Sequence, residues 1–387
     1  MRAEPLRGPL RVAVLTGPYS STQDAQVRAL RVRCGATVEV AYRRAAADAP
    51  FADDEFTSLD GALSWDESIP ADRVERLLDR LEPHVLLVTS WNHGVYMRLA
   101  RRWRHRALRL MIMDNPWRGT AKQLAGIAVS RAFITPAIDV AFVPNERQRV
   151  FARKLGFQED QIWYGAYGCD QPRFEAESAA TLDRPRSFLY VGRLVPAKGI
   201  DLLLEGYAEY RRQVAAPWAL DVVGTGPLAT VVATADGVTA HGFRQPGAMP
   251  GVFATAGCLV LPSTFEPWGT VIHEATASAL PVICSTACGA WIDLVRDGYN
   301  GFVVPPGSAS ALTEAMVKLT TMDAGRRAAM AEASLSLSRQ LTPQRWADSF
   351  DERARAWLAR ATASGRLRGR DHQTSASAPD GPAASTT

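Results

Sequence analysis

Two clusters of residues in the second half of the chain have the types and spacing to do chemistry. In Tyr190-Val-Gly-Arg-Leu-Val-Pro-Ala-Lys-Gly-Ile200, two cations, Arg193 and Lys198, flank a glycine-bearing turn between a β-branched run and a helix start. Ligands of α/β sheets collect beyond the carboxyl ends of strands, where helix N-termini offer free N–H groups, and a forked guanidinium plus a point charge suits a diphosphate. Taken alone, the pair reads also as two solvated surface cations. The second cluster, Leu261-Pro-Ser-Thr-Phe-Glu-Pro-Trp-Gly-Thr-Val-Ile-His-Glu274, sets Glu266 in a loop and Glu274 inside the following helix, with Gly269 and Thr270 letting the backbone approach a ligand. One acid can hold a ribose while the other meets a sugar. By itself Glu274 reads equally as an acid favoured by the helix dipole.

The first half offers candidates of a different kind. His93, in Ser90-Trp-Asn-His-Gly94, lies beyond the end of an expected strand and is the candidate for touching a reacting hydroxyl, although an ordinary loop histidine fits as well. Asp114 and Arg118, in Asp114-Asn-Pro-Trp-Arg-Gly-Thr120, could orient a hydroxyl and bind an acidic group, or Asp114 could cap the next helix. Trp91 and Trp117 offer flat faces for sugar rings, with core packing as the alternative. Arg98 to Arg106 reads as a short basic amphipathic helix, suited to an anionic membrane surface or simply to solvent.

These residues need elements to hold them. At 387 residues, 47% hydrophobic and 22% charged, the chain suits two α/β domains. Arg11–Thr16, Val85–Thr89, Leu108–Met113 and Val140–Val143 read as strands alternating with helices. Turn formers from Gly165 and a polar stretch near 175–186 read as a linker. The pattern restarts with a strand at Ser187–Val191, a helix at Gly199–Arg212 and a strand at Ala219–Val223, in a second doubly wound unit. Helices at Ser308–Leu319 and Ala324–Leu337 follow, and Thr342-Pro343 opens a last helix. The expected division is 1–175, 186–341, a final helix in 342–364, and a tail 365–387 whose Ser, Ala, Gly and Pro content predicts disorder.

Charge and cysteines exclude several classes. The net charge of +4 is spread without an aromatic-interleaved basic run, so nucleic acid is not an expected partner. Five cysteines form no CxxC pair or zinc spacing, and Met1 to Gly17 lacks a secretory apolar run. Cytoplasmic placement is the expectation, with peripheral contact at the inner face of an anionic membrane as its extension. No segment has the 18 or more apolar residues of a span.

In order and spacing the second half resembles glycosyltransferase family 4. The resemblance rests on Gly192-Arg193 through Lys198-Gly199, Glu266 through Glu274-Ala275 (a Glu-x7-Glu motif), Pro281-Val-Ile283, Gly224-Thr-Gly226-Pro227, Gly242-Phe243, Gly289 and Asp297-Gly-Tyr-Asn-Gly-Phe302. It implies the α/β GT-B architecture, two Rossmann-like domains facing across a cleft with the last helix crossing back. It further implies a retaining, metal-independent hexosyltransferase with a nucleotide-diphosphate sugar as co-substrate and no cofactor. Arg193 and Lys198 would grip the diphosphate, Glu274 the ribose, and Glu266 with the Pro267, Trp268, Gly269 and Thr270 segment the donor sugar, Gly192, Gly224 and Phe243 completing the donor site. The acceptor would be a glycan, a lipid-linked sugar or a small molecule. The first half departs from the family: Thr16-Gly-Pro-Tyr-Ser-Ser21 replaces a glycine-rich loop, and Asp114 stands near the place of a family histidine. Two other readings share the motifs: a catalytically silent sugar-nucleotide sensor, and a dehydrogenase using Gly224 to Ala229 as a dinucleotide fingerprint. The latter lacks an acid near position 244 and carries Pro227 at the helix start.

Overall fold

Short apolar runs bounded by glycine, proline and asparagine form the strands of two parallel sheets in the computed structural model, which describes residues 8–43, 51–65, 71–89, 91–179 and 186–367. The first sheet contains β1 (Arg11–Thr16), β2 (Thr37–Arg43), β3 (Leu63–Trp65), β4 (Val85–Val88), β5 (Leu108–Ile112), β6 (Val140–Val143) and β7 (Ile162–Tyr164), in the order β3-β2-β1-β4-β5-β6-β7. The second contains β8 (Ser187–Val191), β9 (Ala219–Val223), β10 (Val238–Gly242), β11 (Cys258–Leu261), β12 (Val282–Ser285) and β13 (Gly301–Val304), in the order β10-β9-β8-β11-β12-β13. Central strands such as β4, β6 and β11 are buried along their whole length, as parallel strands covered on both faces by helices must be.

The helices of the first half are α1 (Ser21–Cys34), α2 (Asp72–Leu81), α3 (Gly94–Arg102), α4 (Ala121–Phe133), α5 (Glu146–Lys154) and α6 (Gln171–Ala179). Those of the second are α7 (Ile200–Gln213), α8 (Ala229–Ala233), α9 (Met249–Ala254), α10 (Thr270–Ala277), α11 (Trp291–Leu294), α12 (Ala309–Thr321), α13 (Ala324–Ser338) and α14 (Pro343–Ala363). Thr342 caps α14 by accepting from the Arg345 amide, with Pro343 opening the helix. α14 packs on the first domain: Trp346, Phe350 and Trp357 join the core of Val12, Val14, Leu110 and Phe142, and Trp346 stacks on Phe142 at 6.3 Å.

Two stretches differ from expectation. The polar segment read as a linker is helical through Ala179, because Phe174 is anchored edge-on against Phe253 at 5.6 Å and tertiary burial overrides the turn formers; residues 180–185 lie outside the described residues. Gly365–Leu367, assigned by composition to the tail, fold back, and Arg366 donates to Asp139 Oδ1 at 2.6 Å. Residues 368–387 lie outside the described residues.

Candidate functional site

In an open parallel sheet, neighbouring strands whose connections leave in opposite directions open a crevice at their carboxyl ends. Here that switch falls between β1 and β4 in one sheet and between β8 and β11 in the other. Gly17, after β1, lies beside His93, after β4. In the second domain the Gly192-Arg193 turn follows β8, and the Glu266 loop follows β11. Gly224, in its positive-φ conformation (φ 144°), allows the β9 turn to nest on the β8 turn, where any Cβ would fall 1.9 Å from the Gly192 carbonyl oxygen. This glycine is therefore spent on packing two turns together, not on admitting a dinucleotide pyrophosphate.

Between the crevices lies a cavity of about 300 Å³ that draws its walls from both domains. Gly192, Arg193, Gly224, Phe243, Thr270 and Glu274 line it from the second domain, and Ser20, Ser21, Phe51 and Phe56 from the first. Ser20 caps α1, so the free N–H groups of that helix open at the cavity. Burial pushes the Glu274 carboxyl up to about 7, partly offset by a hydrogen bond with the Ser21 side chain. The outer wall is stapled across the domains: the Gly247 amide donates to Glu55 Oε2 at 2.6 Å, the Ala52 amide donates to Gln245 Oε1 at 3.3 Å, and the Phe51 and Phe243 rings meet at 5.6 Å.

A second group of side chains adjoins this cavity. Lys198 and Glu266 form an ion pair, their side chains 15% and 12% exposed. Gly269, next to Thr270 in the cavity wall, packs against Glu266. The Glu266 loop is braced from behind: the Gly289 amide donates to the Glu266 carbonyl at 3.1 Å and the Ala290 amide to the Trp268 carbonyl at 2.8 Å. Gly289 permits this approach, since a Cβ there would lie 2.1 Å from the Pro267 oxygen. From the first domain comes Asp114, whose carboxyl accepts from the Tyr167 hydroxyl at 3.3 Å. Burial raises the Asp114 pKa, the Tyr167 bond opposes that rise, and the negative charge of Glu266 adds to it. The arrangement places the Lys198–Glu266 ion pair beside an acid biased towards its neutral form.

The domains are joined at this point by polar side chains of α5 and its cap. Gln148 Nε2 donates to the Asp114 and Pro267 carbonyls at 3.0 Å each, and Asn145 Nδ2 donates to Asp293 at 2.7 Å and to the Gly289 carbonyl at 3.1 Å. Arg118 covers the Phe265 ring at 4.2 Å.

Residues 185–322 match the family model described as Glycosyl transferases group 1. An alpha-D-kanosaminyltransferase of Streptomyces kanamyceticus is 32% identical over 162 residues, covering 40% of this chain and 41% of that protein. A GDP-mannose-dependent alpha-(1-6)-phosphatidylinositol monomannoside mannosyltransferase of Mycobacterium tuberculosis is 30% identical over 216 residues, covering 50% and 55%. The chain thus spans about half the length of the curated relatives it matches. Among solved structures, sucrose-phosphate synthase of Thermosynechococcus elongatus superposes with a TM-score of 0.71 at 18% identity, over 91% of this chain and 100% of that one. HepE of Anabaena, in complex with UDP and glucose, superposes with a TM-score of 0.65 at 16% identity, over 92% and 100%. The architecture is GT-B.

Within this GT-B frame the sequence-derived residues fall into three places. Gly192, Arg193, Gly224, Phe243, Thr270 and Glu274 share the cavity, whereas Lys198, Glu266 and Asp114 share the neighbouring cleft. His93 stands apart from Asp114 in the β1/β4 crevice, where burial and the charge of Arg43 lower its pKa. The tryptophans make packing contacts: Trp91, partly buried, lies over Gly126 of α4, Trp117, also partly buried, lies 5.8 Å from Phe151 and under Lys154, and Trp268, 4% exposed, stacks on Tyr167 at 5.3 Å. Pro267 and Gly269 contribute backbone to the Glu266 loop. Asp114 is not a helix cap, since Thr120 caps α4 by accepting from the Gln123 amide.

Sequence reasoning missed Tyr167, Ser21 and Gln148. Tyr167 sits in the turn-rich Gly165 to Asp170 segment, where a lone aromatic among turn formers was the available signal. Ser21 and Gln148 carry no motif; only the fold brings them across the cleft.

Proposed function

We propose that the protein is a retaining, metal-independent glycosyltransferase that moves a hexose-type sugar from a nucleotide-diphosphate sugar to a glycan, lipid-linked or small-molecule acceptor. The observation that carries the reading is the convergence of the Arg193 turn and Glu274 on one cavity between the two switch points, with the Lys198–Glu266 pair in the adjoining cleft. Arg193, Lys198 and the N-terminus of α1 supply positive potential for the leaving diphosphate. Glu274 accepts from ribose hydroxyls, and Glu266 with the Pro267–Thr270 backbone holds the sugar. In the reaction the bond between the anomeric carbon and the phosphate oxygen breaks, and the acceptor oxygen bonds the same carbon from the same face. The acceptor proton passes to the leaving phosphate oxygen. Asp114 orients the acceptor hydroxyl.

The matched relatives include a GDP-mannose-dependent enzyme, so guanosine and uridine donors come first in a screen of UDP-, GDP-, ADP- and dTDP-sugars. The test of the division of roles is steady-state kinetics with product-nucleotide affinity. Glu274→Ala raises the donor KM and weakens nucleotide binding, because its contact exists before and during reaction. Glu266→Ala mainly lowers kcat and leaves nucleotide binding intact, because its contact strengthens as the anomeric carbon gains positive charge. Equal losses of nucleotide affinity in both variants would refute the division.

A further inference from the structure

The basic stretch Arg98 to Arg106 falls largely on α3, and part of it is paired with acids of α2. Arg102 pairs with Glu75 and Asp79 of α2, and Arg106 covers the Trp103 ring at 3.9 Å. The neighbouring helix α4 is different. Leu124, Val129 and Phe133 are 55%, 42% and 56% exposed, and Ala125, Ala128 and Ala132 between them are exposed too. At about 100° per residue these six positions sweep roughly half the circumference of the helix, with Arg131 on one edge of the arc and Lys122 on the other. The opposite face is the buried one, through Gly126 under Trp91 and Ser130, whose hydroxyl donates to the Leu155 carbonyl at 2.6 Å.

From this placement we infer that the exposed face of α4 is a docking surface for an anionic lipid bilayer. The apolar arc is flanked by cations, and Arg101 extends the rim by covering the Phe133 ring at 5.2 Å while donating to the Ala132 carbonyl. From Gly94 to Phe133 the acid is Asp114, which is committed to the cleft. Neither Lys122 nor Arg131 pairs with an acid among the described residues. A protein partner would have to be strongly acidic to match this rim, whereas an anionic bilayer offers negative headgroups and an apolar layer in the same geometry. Residues 368–387 hold no large apolar side chain with which to cover the arc. No helix among the described residues is long and apolar enough to cross a membrane, so the contact is peripheral. α4 starts just after Arg118, which lies on Phe265 at the domain junction, so docking brings the bilayer to the mouth of the cleft. The inference holds whatever sugar or base the donor carries.

Flotation with vesicles of phosphatidylcholine alone and of phosphatidylcholine with phosphatidylglycerol tests it. The full chain binds the anionic vesicles, and binding falls as salt rises. A triple variant, Leu124→Ser, Val129→Ser and Phe133→Ser, weakens vesicle binding by at least roughly tenfold, the factor that burying one large apolar side chain supplies. Lys122→Glu with Arg131→Glu weakens binding to the anionic vesicles alone. All five positions are exposed, so both variants keep the far-UV circular dichroism and the product-nucleotide affinity of the parent. Undiminished binding by the triple variant, or no binding by the parent, overturns the inference. Concentration-dependent dimerisation that the triple variant abolishes, without vesicle binding, assigns the face to a second copy and overturns it as well.

Discussion

Replacing Glu274 by glutamine keeps the size of the side chain and its hydrogen bond to Ser21, and removes only the charge. Burial holds this carboxyl at about 7 against an ordinary value of 4.5, so the folded protein disfavours the ionised form. The sign follows from linkage: as pH rises from the unfolded value towards the folded one, the unfolded chain ionises first and the native state loses stability. The cost is absent below about pH 4.5 and complete above about pH 7. A shift of this size corresponds to about 3 kcal/mol, and about 2 is the working value because cleft water reaches part of the carboxylate. Glu274→Gln therefore gains little at pH 5 and about 2 kcal/mol at pH 8, where its Tm exceeds the parent's by roughly 2 to 3 °C. Calorimetric scans of both proteins across this range are the assay. Ser21→Ala provides the complementary shift, since losing that hydrogen bond pushes the carboxyl higher and widens the pH dependence. A Tm difference between parent and Glu274→Gln that stays constant from pH 5 to pH 8 would refute the reasoning.

Lys198→Ala weakens binding of the nucleoside diphosphate by roughly 1.5 to 3 kcal/mol, measured by titration calorimetry; unchanged affinity in a folded variant removes Lys198 from the site. Tyr167→Phe takes away the hydrogen bond that lowers the Asp114 pKa, so an activity that requires ionised Asp114 has the acidic limb of its pH profile moved to higher pH, and an unmoved limb separates Asp114 from turnover. Gly289→Ala forces a methyl into the Pro267 carbonyl. It is expected to cost more than about 2 kcal/mol in thermal or denaturant unfolding and to reduce kcat with it, through the loop that carries Glu266.

Much of the donor-side geometry was legible because it is local. Strand, turn and helix start lie within a dozen residues in both the Arg193 and the Glu274 segments, and the backbone alone decides that Gly192 and Gly224 nest. The pairing of Lys198 with Glu266 was not legible, because it depends on β8 and β11 being neighbours in the sheet, a property of strand order. The same holds for Ser21 against Glu274, which needs both domains in place. The tryptophans show the opposite difficulty. Trp91 and Trp117 stand in loops at strand ends, where an exposed aromatic suggests a ligand, but α4 and α5 supply apolar surface that no nearby residue announces. Phe174 has the same lesson for the expected linker: a single anchored aromatic turned a polar, turn-rich segment into helix.

The crossing of α14 has a bearing on how the protein is made. The domain that leaves the ribosome first carries a core whose last layer, Trp346, Phe350 and Trp357, is encoded near the far end of the chain. Its sheet can pair as it emerges, but the face around Phe142 stays uncovered until the second domain has been synthesised in full. Nascent domains ordinarily fold in the order of translation; here the first to begin is the last to finish. An interrupted translation product ending anywhere before residue 342 is left with an apolar surface that the finished protein never shows, and the two halves, though each has its own sheet, mature as one unit.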